Sequence, residues 1–164
     1  MPHQLKVFQG SVTEEHTVTG PVVVRSWHVS GWPFALRPHY DVSARCMSGQ
    51  WKIVPVLGDT DRRAVDRWAD QHDLREMRFR SRSEALDVLA AMIATAPPPP
   101  MPRRNPTEPA LIKVRRRVYR TRDSAFYVRA ARYGYEIEAD SSRVWWPTLT
   151  TVRLRIDNLR ARDL

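Results

Sequence analysis

The first half of the chain alternates apolar and polar positions in a way that predicts β-strands. Residues 4–9 and 16–28 are rich in β-branched and aromatic types, which are typical of strands. Residues 40–44 then alternate between apolar and polar types, which gives them one apolar face. A second run of this kind, residues 51–54, follows Gly49. Because a glycine between two alternating runs favours a turn, this stretch is predicted to be a hairpin with one buried face.

Two stretches of the same half carry apolar residues at helical spacing. The first comprises residues 61–72. A short predicted strand, residues 76–80, separates it from a second helix, in which Ser81 is a suitable N-cap and Glu84 follows three positions later as in a capping box. The apolar stripe of this second helix is wide, and the helix is predicted to end before Pro97.

The second half repeats the alternation of strands and ends in a helical pattern. We predict one continuous strand at residues 111–119, a hairpin of two strands at residues 126–138 and a further strand at residues 143–146. Thr148 is a candidate N-cap, and apolar residues then recur at helical spacing. An alternating strand over residues 152–156 is the alternative to this last helix.

A proline-rich stretch lies between the two halves. Seven of the 13 prolines fall between residues 97 and 109. Each proline fixes φ, removes a backbone donor and disfavours the helical conformation in the residue before it, so no helix or central strand can run through this stretch. We expect residues 97–110 to be a semi-rigid, extended linker between one α+β module at residues 1–96 and another at residues 111–164.

The two halves also share a pattern. The alternating run at residues 40–44 matches the run at residues 126–130, and in each half an aromatic-x-(Ser/Thr) step later leads into an amphipathic helix. The predicted fold class is therefore α+β, with two small antiparallel sheet-plus-helix (βββα-like) modules that suggest a tandem duplication. The alternative is a single α+β domain with a proline-rich loop. The general shape is similar to the small sheet-plus-helix modules that bind DNA in phage integrase arms.

Composition narrows the class of protein. The chain is 42% hydrophobic and 27% charged, which is typical of a globular protein and not of a disordered one. The sequence has no apolar run long enough to span a bilayer, and its first residues lack the pattern of a signal peptide. Cys46 is the only cysteine, which excludes an internal disulfide and a cysteine-based zinc site. We therefore expect a cytoplasmic protein with no membrane partner.

The charge is unevenly distributed along the chain. Of the net charge of +9, residues 1–96 contribute +1 and residues 97–164 contribute +8. A surplus of this size favours a polyanion, an acidic protein surface or anionic lipid as the partner of the second half. Arginine supplies nearly all of these cations and suits bidentate contacts to phosphate and carboxylate groups, but the same bias also follows from a high-GC genome, so only the sign of the charge supports the prediction.

The basic residues of the second half are the best candidates for a binding site. Lys113, Arg115 and Arg117 are predicted to project from one face of a single strand, with Tyr119 beside them. Such a surface could lay cations along phosphates while an aromatic ring stacks on a base. The candidate nucleic-acid-binding residues are Lys113, Arg115, Arg117, Tyr119, Arg120, Arg122, Arg129, Arg132, Arg143 and Trp145. The alternative is a solvated outer face whose charge protects an edge strand from aggregation.

Motifs for catalysis or cofactor binding are absent from the sequence. The five histidines show no metal-ligand spacing, and none of the six glycines forms a phosphate-binding loop. Glu136, Glu138 and Asp140 share one predicted strand face, but among so many arginines they are better explained by cross-strand ion pairs. We therefore expect a non-enzymatic protein without a cofactor or a metal.

Charge and motifs together favour one function and leave an alternative. The favoured function is that of a small basic accessory protein that binds nucleic acid, DNA or RNA, of the kind found in phages or mobile elements. The alternative is a protein-binding module, such as a phage regulator, inhibitor or virion component, that docks on an acidic protein surface. The same arginines would serve either partner.

Overall fold

A computed structural model gives the architecture of the chain and describes residues 4–56, 62–100, 107–138, 140 and 144–162. These residues form two antiparallel sheets, of five and four strands, and three α-helices. The prediction of an α+β fold with antiparallel sheets is confirmed. In the described ranges, every helix is too short or too polar to cross a lipid bilayer.

The five-stranded sheet is built mainly from the first half of the chain. Its strands are β1 (Val7–Thr17), β2 (Gly20–Val29), β3 (Phe34–Asp41), β4 (Cys46–Pro55) and β9 (Val144–Trp145), in the order β4-β3-β2-β1-β9. β1 to β4 pair as successive antiparallel neighbours. The first strand is longer than predicted, and residues 16–28, predicted as a single strand, contain the turn between β1 and β2.

The turn between β3 and β4 lies earlier than predicted. It comprises residues 42–45, whereas Gly49, the predicted turn residue, lies within β4. Asp41 Oδ1 accepts a hydrogen bond from the backbone N–H of Ala44 at 3.1 Å. Because an aspartate that bonds to the backbone a few residues ahead stabilises a turn without a glycine, the position of the glycine was a misleading signal.

Two helices cover one face of the five-stranded sheet. They are α1 (Arg62–Gln71) and α2 (Arg82–Thr95), and both lie where helices were predicted. Phe34, Leu36 and Ile53 project from this face, and each is at most 1% exposed. They pack in one hydrophobic cluster with side chains of α1 and α2, so the larger core of the protein lies between this sheet and these helices.

The N-terminus of α2 is capped as predicted, with one difference. Ser81 Oγ accepts a hydrogen bond from the backbone N–H of Glu84 at 3.1 Å. The Glu84 carboxylate also bonds to the backbone before the helix, but it accepts from the N–H of Arg80, at 2.6 Å, and not from that of Ser81. The capping pair therefore satisfies two backbone donors at the start of this helix.

The predicted strand at residues 76–80 lies outside both sheets. Leu74–Glu76 form a 3₁₀ turn, and Phe79 makes an isolated bridge to Trp51. The Leu74 side chain is fully buried and Phe79 is 5% exposed, both in the larger core. Packing of these two side chains therefore determines the path of the segment more than its strand propensity does.

The four-stranded sheet comes from the second half of the chain. Its strands are β5 (Leu111–Arg115), β6 (Val118–Thr121), β7 (Tyr127–Ala131) and β8 (Gly134–Ile137), in that order. β7 and β8 form the hairpin predicted at residues 126–138. Residues 111–119, predicted as one strand, instead fold back at Arg116 and Arg117. Arg117 has a φ of 62°, a left-handed conformation that glycine or asparagine usually signals in a sequence, so this turn was missed.

The third helix, α3 (Leu149–Arg162), is a helix as predicted and not the alternative strand. The stripe of α3 that packs in the smaller core, on the four-stranded sheet, consists of Val152, Ile156 and Leu159. The stripe that borders a cleft on the second face of the five-stranded sheet consists of Thr151, Leu154, Arg155 and Asn158. Each set recurs at intervals of three and four residues, so α3 presents one side to each sheet.

The segment between β8 and α3 joins the two sheets. β9 pairs with β1, whereas the next residue, Trp146, exchanges backbone hydrogen bonds of 2.8 and 2.9 Å with Tyr135 of β8. Gly134 permits this approach, because a Cβ at that position would lie 2.3 Å from the carbonyl oxygen of Trp146. The strand predicted at residues 143–146 was expected to complete the sheet of the second module, but Val144 and Trp145 pair with the first sheet and only Trp146 bonds to the second.

The predicted proline-rich linker is described in part. Residues 97–100 and 107–110 contain no helix or strand, and residues 101–106 lie outside the described residues. Pro98 and Pro109 are buried, and just before this stretch the Trp68 indole donates a hydrogen bond to the Ala96 carbonyl at 2.6 Å. The described ends of the stretch therefore make contacts with the folded protein.

Candidate nucleic-acid interface

The β5–β6 hairpin does not place the predicted cations on one face. Lys113 pairs with Tyr119 and Arg115 pairs with Val118, with a shift of register between the two pairs. Paired residues of neighbouring strands lie on the same face, whereas the successive residues Val118 and Tyr119 lie on opposite faces. Lys113 therefore lies on the face of Tyr119, and Arg115 lies on the opposite face with Val118. The expectation that Lys113, Arg115 and Arg117 share one face of a single strand is therefore wrong.

The tip of this hairpin nevertheless concentrates positive charge. Arg115, Arg116 and Arg117 are consecutive, and all three are exposed. Within the described ranges, no carboxylate forms an ion pair with any of them. Arg116 was not among the predicted contact residues, although its place in a run of three arginines was visible in the sequence. We call these three residues the arginine tip.

The face of the sheet that carries Arg115 also carries two other candidate residues. Val118 pairs with Arg129 and Arg120 pairs with Tyr127, so Arg120 and Arg129 lie on this face. Because Val128 and Ile137 point into the core beneath α3, this face is the one turned away from α3. We call it the outer face.

The candidate arginines of the outer face are already engaged. Arg129 forms an ion pair with Glu136, with Nε and Nη2 at 3.2 and 3.1 Å from Oε2. Arg120 Nη1 donates to the carbonyl oxygens of Thr121 and Arg122 and to Ser124 Oγ, at 3.1, 3.3 and 3.1 Å. Arg120 therefore supports the turn between β6 and β7, and it is less available to a ligand than the arginine tip.

The other predicted cations are dispersed. Arg122 is exposed at the β6–β7 turn, and Arg132 is exposed between β7 and β8 with its guanidinium 5.2 Å from the ring centre of Tyr133. Arg143 lies outside the described residues. These positions do not extend the arginine tip into a continuous patch on one strand.

The two predicted stacking residues are half-buried. Tyr119 packs against the smaller core, with its ring centre 6.3 Å from that of Tyr135. Trp145 donates from Nε1 to Glu136 Oε1 at 2.9 Å and contacts the ring of Tyr133 edge-on at 5.1 Å. Both rings are therefore held by structural contacts.

Tyr127, which sequence reasoning missed, is a more accessible aromatic residue. It lies on the outer face and is 39% exposed. With Val114, Val118 and Arg129 it lines a shallow groove of about 280 Å³. Its alternation with the buried Val128 was the available signal, because adjacent residues of a strand face opposite sides.

A carboxylate at the β6–β7 turn offsets part of the local positive charge. Hydrogen bonds from the Thr121 hydroxyl and the Ala125 backbone N–H hold the pKa of Asp123 below its usual value. The carboxylate also pairs with Arg160 of α3, at 2.8 Å. Asp123 is therefore ionised at neutral pH, and it neutralises a cation of α3 and not of the arginine tip.

Comparison with known proteins finds no matching family model, curated protein or solved structure. Among the described residues, no group of three or more His, Cys, Asp or Glu side chains is arranged to hold a metal ion. The β5–β6 hairpin and the outer face are therefore the features of the molecule from which a function can be inferred.

Proposed function

We propose that this chain is a small basic, non-enzymatic accessory protein that binds nucleic acid, DNA or RNA, through the β5–β6 hairpin. The arginine tip carries the proposal, because its three exposed guanidinium groups have no carboxylate partner among the described residues. Guanidinium groups match phosphate oxygens in geometry, and neutralising phosphates releases counterions from the nucleic acid. Arg115, Arg116 and Arg117 are the proposed phosphate contacts.

The outer face supplies the remaining proposed contacts. Tyr127 is exposed beside Arg120, its partner across β6 and β7, and an unpaired base could stack on its ring. Lys113 and Arg122 are exposed at the margins of the sheet and could contact phosphates further along the strand. This arrangement fits a single-stranded or locally opened substrate, because stacking needs an accessible base.

The organisation of the chain completes the proposal. Binding is assigned to a basic module at residues 111–164, which the proline-rich residues 97–110 join to a near-neutral module at residues 1–96. The charges of +8 and +1 on the two halves support this division. A tandem origin of the modules, a phage or mobile element as source and a cytoplasmic location belong to the same proposal.

The test measures binding of fluorescent duplex DNA and single-stranded RNA as a function of salt. We expect binding at micromolar protein and about 50 mM salt, with log K on duplex DNA falling by about 0.9 per phosphate contact for each unit of log salt. The variant Arg115→Glu/Arg116→Glu should lose most of this affinity. Arg25→Glu/Arg67→Glu changes two exposed arginines of the first half by the same total charge and should retain more affinity.

Two results would contradict the proposal. One is the absence of any shift of either nucleic acid at low salt. The other is an equal loss of affinity in the two double variants, because net charge alone would then explain the binding.

A second function, docking on an acidic protein surface, is favoured by one observation. Ile112, Val114 and Tyr127 of the four-stranded sheet are 39%, 51% and 39% exposed, and arginines flank them. Exposed apolar side chains beside arginine are typical of protein interfaces. The variant Ile112→Ser/Val114→Ser should leave binding to duplex DNA unchanged but abolish capture of a protein partner from nuclease-treated lysate.

A further inference from the structure

A cleft of about 220 Å³ separates α3 from the second face of the five-stranded sheet. Its polar side is lined by Ser11, Ser26, His28, Arg37, Arg155 and Asn158. Val54, Trp146 and Leu154 contribute to its apolar side. A concave site with a few convergent polar groups and an apolar wall, at the junction of two layers, is where small ligands usually bind.

A β-bulge brings two serines together on the wall of this cleft. Gln9 pairs with Trp27 and Val12 pairs with Arg25, so the two residues between them on β1 lie opposite Ser26. One of the two is Ser11, whose hydroxyl lies 2.8 Å from that of Ser26. Bulges redirect side chains and are frequent beside functional sites.

The other bulge residue, Gly10, makes room for His28. A Cβ at residue 10 would lie 2.3 Å from His28 Nε2 and 2.9 Å from Ser26 Oγ, so the imidazole occupies the space that a side chain would fill. The His28 ring has no hydrogen-bond partner within the described ranges. Burial lowers the pKa of His28 to about 4, so at neutral pH the ring offers one N–H donor and one acceptor.

The two arginines of the cleft are fixed by carboxylates but retain free donors. Arg37 Nη2 donates to Glu15 Oε1 at 2.9 Å, and Arg155 donates from Nε and Nη2 to Asp140 at 2.9 and 3.3 Å. A guanidinium has five N–H donors, so these bonds use one donor of Arg37 and two of Arg155. The pairs are neutral overall, which disfavours a polyanion, while the spare donors favour oxygen acceptors.

We propose that this cleft binds a small organic monoanion, a carboxylate with a compact apolar body. The carboxylate oxygens accept hydrogen bonds from Arg37 and Arg155, with Ser11 or His28 as a further donor. The apolar body packs against Trp146 and Leu154. This site uses none of the residues of the arginine tip, so it stands or falls independently of nucleic-acid binding.

The test uses benzoate as the probe and benzamide as its uncharged analogue, each added at millimolar concentration to the ¹⁵N-labelled full chain. We expect benzoate to shift the backbone amide resonances of Ser11, His28 and Arg155, and benzamide to bind about tenfold more weakly because it lacks the charge-assisted bonds. Equal binding of the two probes, or shifts confined to other parts of the chain, would overturn the proposal.

Two variants and one control sharpen this test. Arg37→Gln removes a charged donor and should weaken benzoate binding about tenfold, whereas Arg25→Gln, on the neighbouring strand with its side chain on the opposite face, should not. Leu154→Trp places a bulky ring in the cleft and should abolish binding while leaving both ion pairs in place. Unchanged affinity in Arg37→Gln or in a folded Leu154→Trp would refute the assignment.

Discussion

The imidazole of His28 lies against Gly10, so that a Cβ at residue 10 would be 2.1 Å from His28 Cδ2. Real Cβ atoms do not approach other atoms so closely, so a larger residue at position 10 fits only if the imidazole of His28 shifts. The two residues come from neighbouring strands, β1 and β2, at the bulge in their pairing. Substitutions at these two positions should be energetically coupled.

We expect Gly10→Ala to destabilise the protein by about 1–3 kcal/mol, because the imidazole has to leave its position. In the double variant Gly10→Ala/His28→Ala the added methyl group finds space, so the combined loss should be smaller than the sum of the single losses. Urea denaturation of the four proteins measures this coupling. Additive losses would show that the two side-chain positions do not compete.

The stability of the protein should depend on pH through His28. Its folded-state pKa of about 4 lies below the usual 6.5, so the unfolded chain takes up the proton first. Stability should therefore fall as pH decreases from 6.5 to 4, by about 3 kcal/mol in total, and this contribution is fully present above pH 6.5. The free energy of unfolding is measured for wild type and for His28→Gln at several pH values. The difference between the two proteins should change over this pH range. Parallel curves for the two proteins would contradict it.

The ion pair between Arg155 and Asp140 should matter more than an exposed pair. The side chains are 16% and 7% exposed, so Arg155→Met leaves a buried carboxylate without this partner and should cost about 3 kcal/mol or more. The control is Arg75→Met, which breaks the more exposed pairs with Asp66 and Asp70 and should cost less than about 1 kcal/mol. Denaturation midpoints at pH 7 compare the two, and similar losses would disprove the distinction.

Ser81→Ala should lower stability by about 1 kcal/mol, because the backbone N–H of Glu84 loses the hydroxyl that caps it. Ser83→Ala provides the matched control inside the first turn of the same helix. Since alanine has the higher helix propensity, that substitution should be neutral or slightly stabilising. Thermal denaturation followed by circular dichroism measures the stability of both variants. An equal loss of stability in Ser83→Ala and Ser81→Ala would argue against a specific cap.

If single-stranded nucleic acid stacks on the outer face, Tyr127→Ala should weaken its binding by about 1–3 kcal/mol with little effect on folding. Tyr119→Ala should instead reduce stability, because this ring packs in the smaller core. Fluorescence anisotropy and thermal melting of both variants separate the two roles. Unchanged binding in Tyr127→Ala would remove stacking on this ring from the proposed interface.

Features with a local cause were predictable from the sequence. The cap at Ser81, the helices and the hairpin at residues 126–138 depend on residues close together in the chain. The turn at Arg116 and Arg117 was missed because an arginine occupies the left-handed position, and a shift of register between Lys113 and Arg115 places these two residues on opposite faces of the sheet. The missed turn and the missed bulge together changed the predicted interface.

Features that depend on long-range pairing could not be predicted. The pairing of β9 with β1 joins distant parts of the chain, and no local pattern at residues 143–146 indicates it. The contact of His28 with Gly10 likewise requires the register of β1 and β2, including its bulge. A lone histidine and a lone glycine carry no signal for a cleft until that register is known.

Trp145 and Trp146 are joined by one peptide bond, yet the first pairs with β1 and the second with β8. Neither sheet can slide or rotate against the other without breaking one of these two backbone pairings. The two hydrophobic clusters should consequently lose their structure together, in a single cooperative transition, although each contains its own set of buried side chains. A molecule bound at either sheet would then protect the other from unfolding.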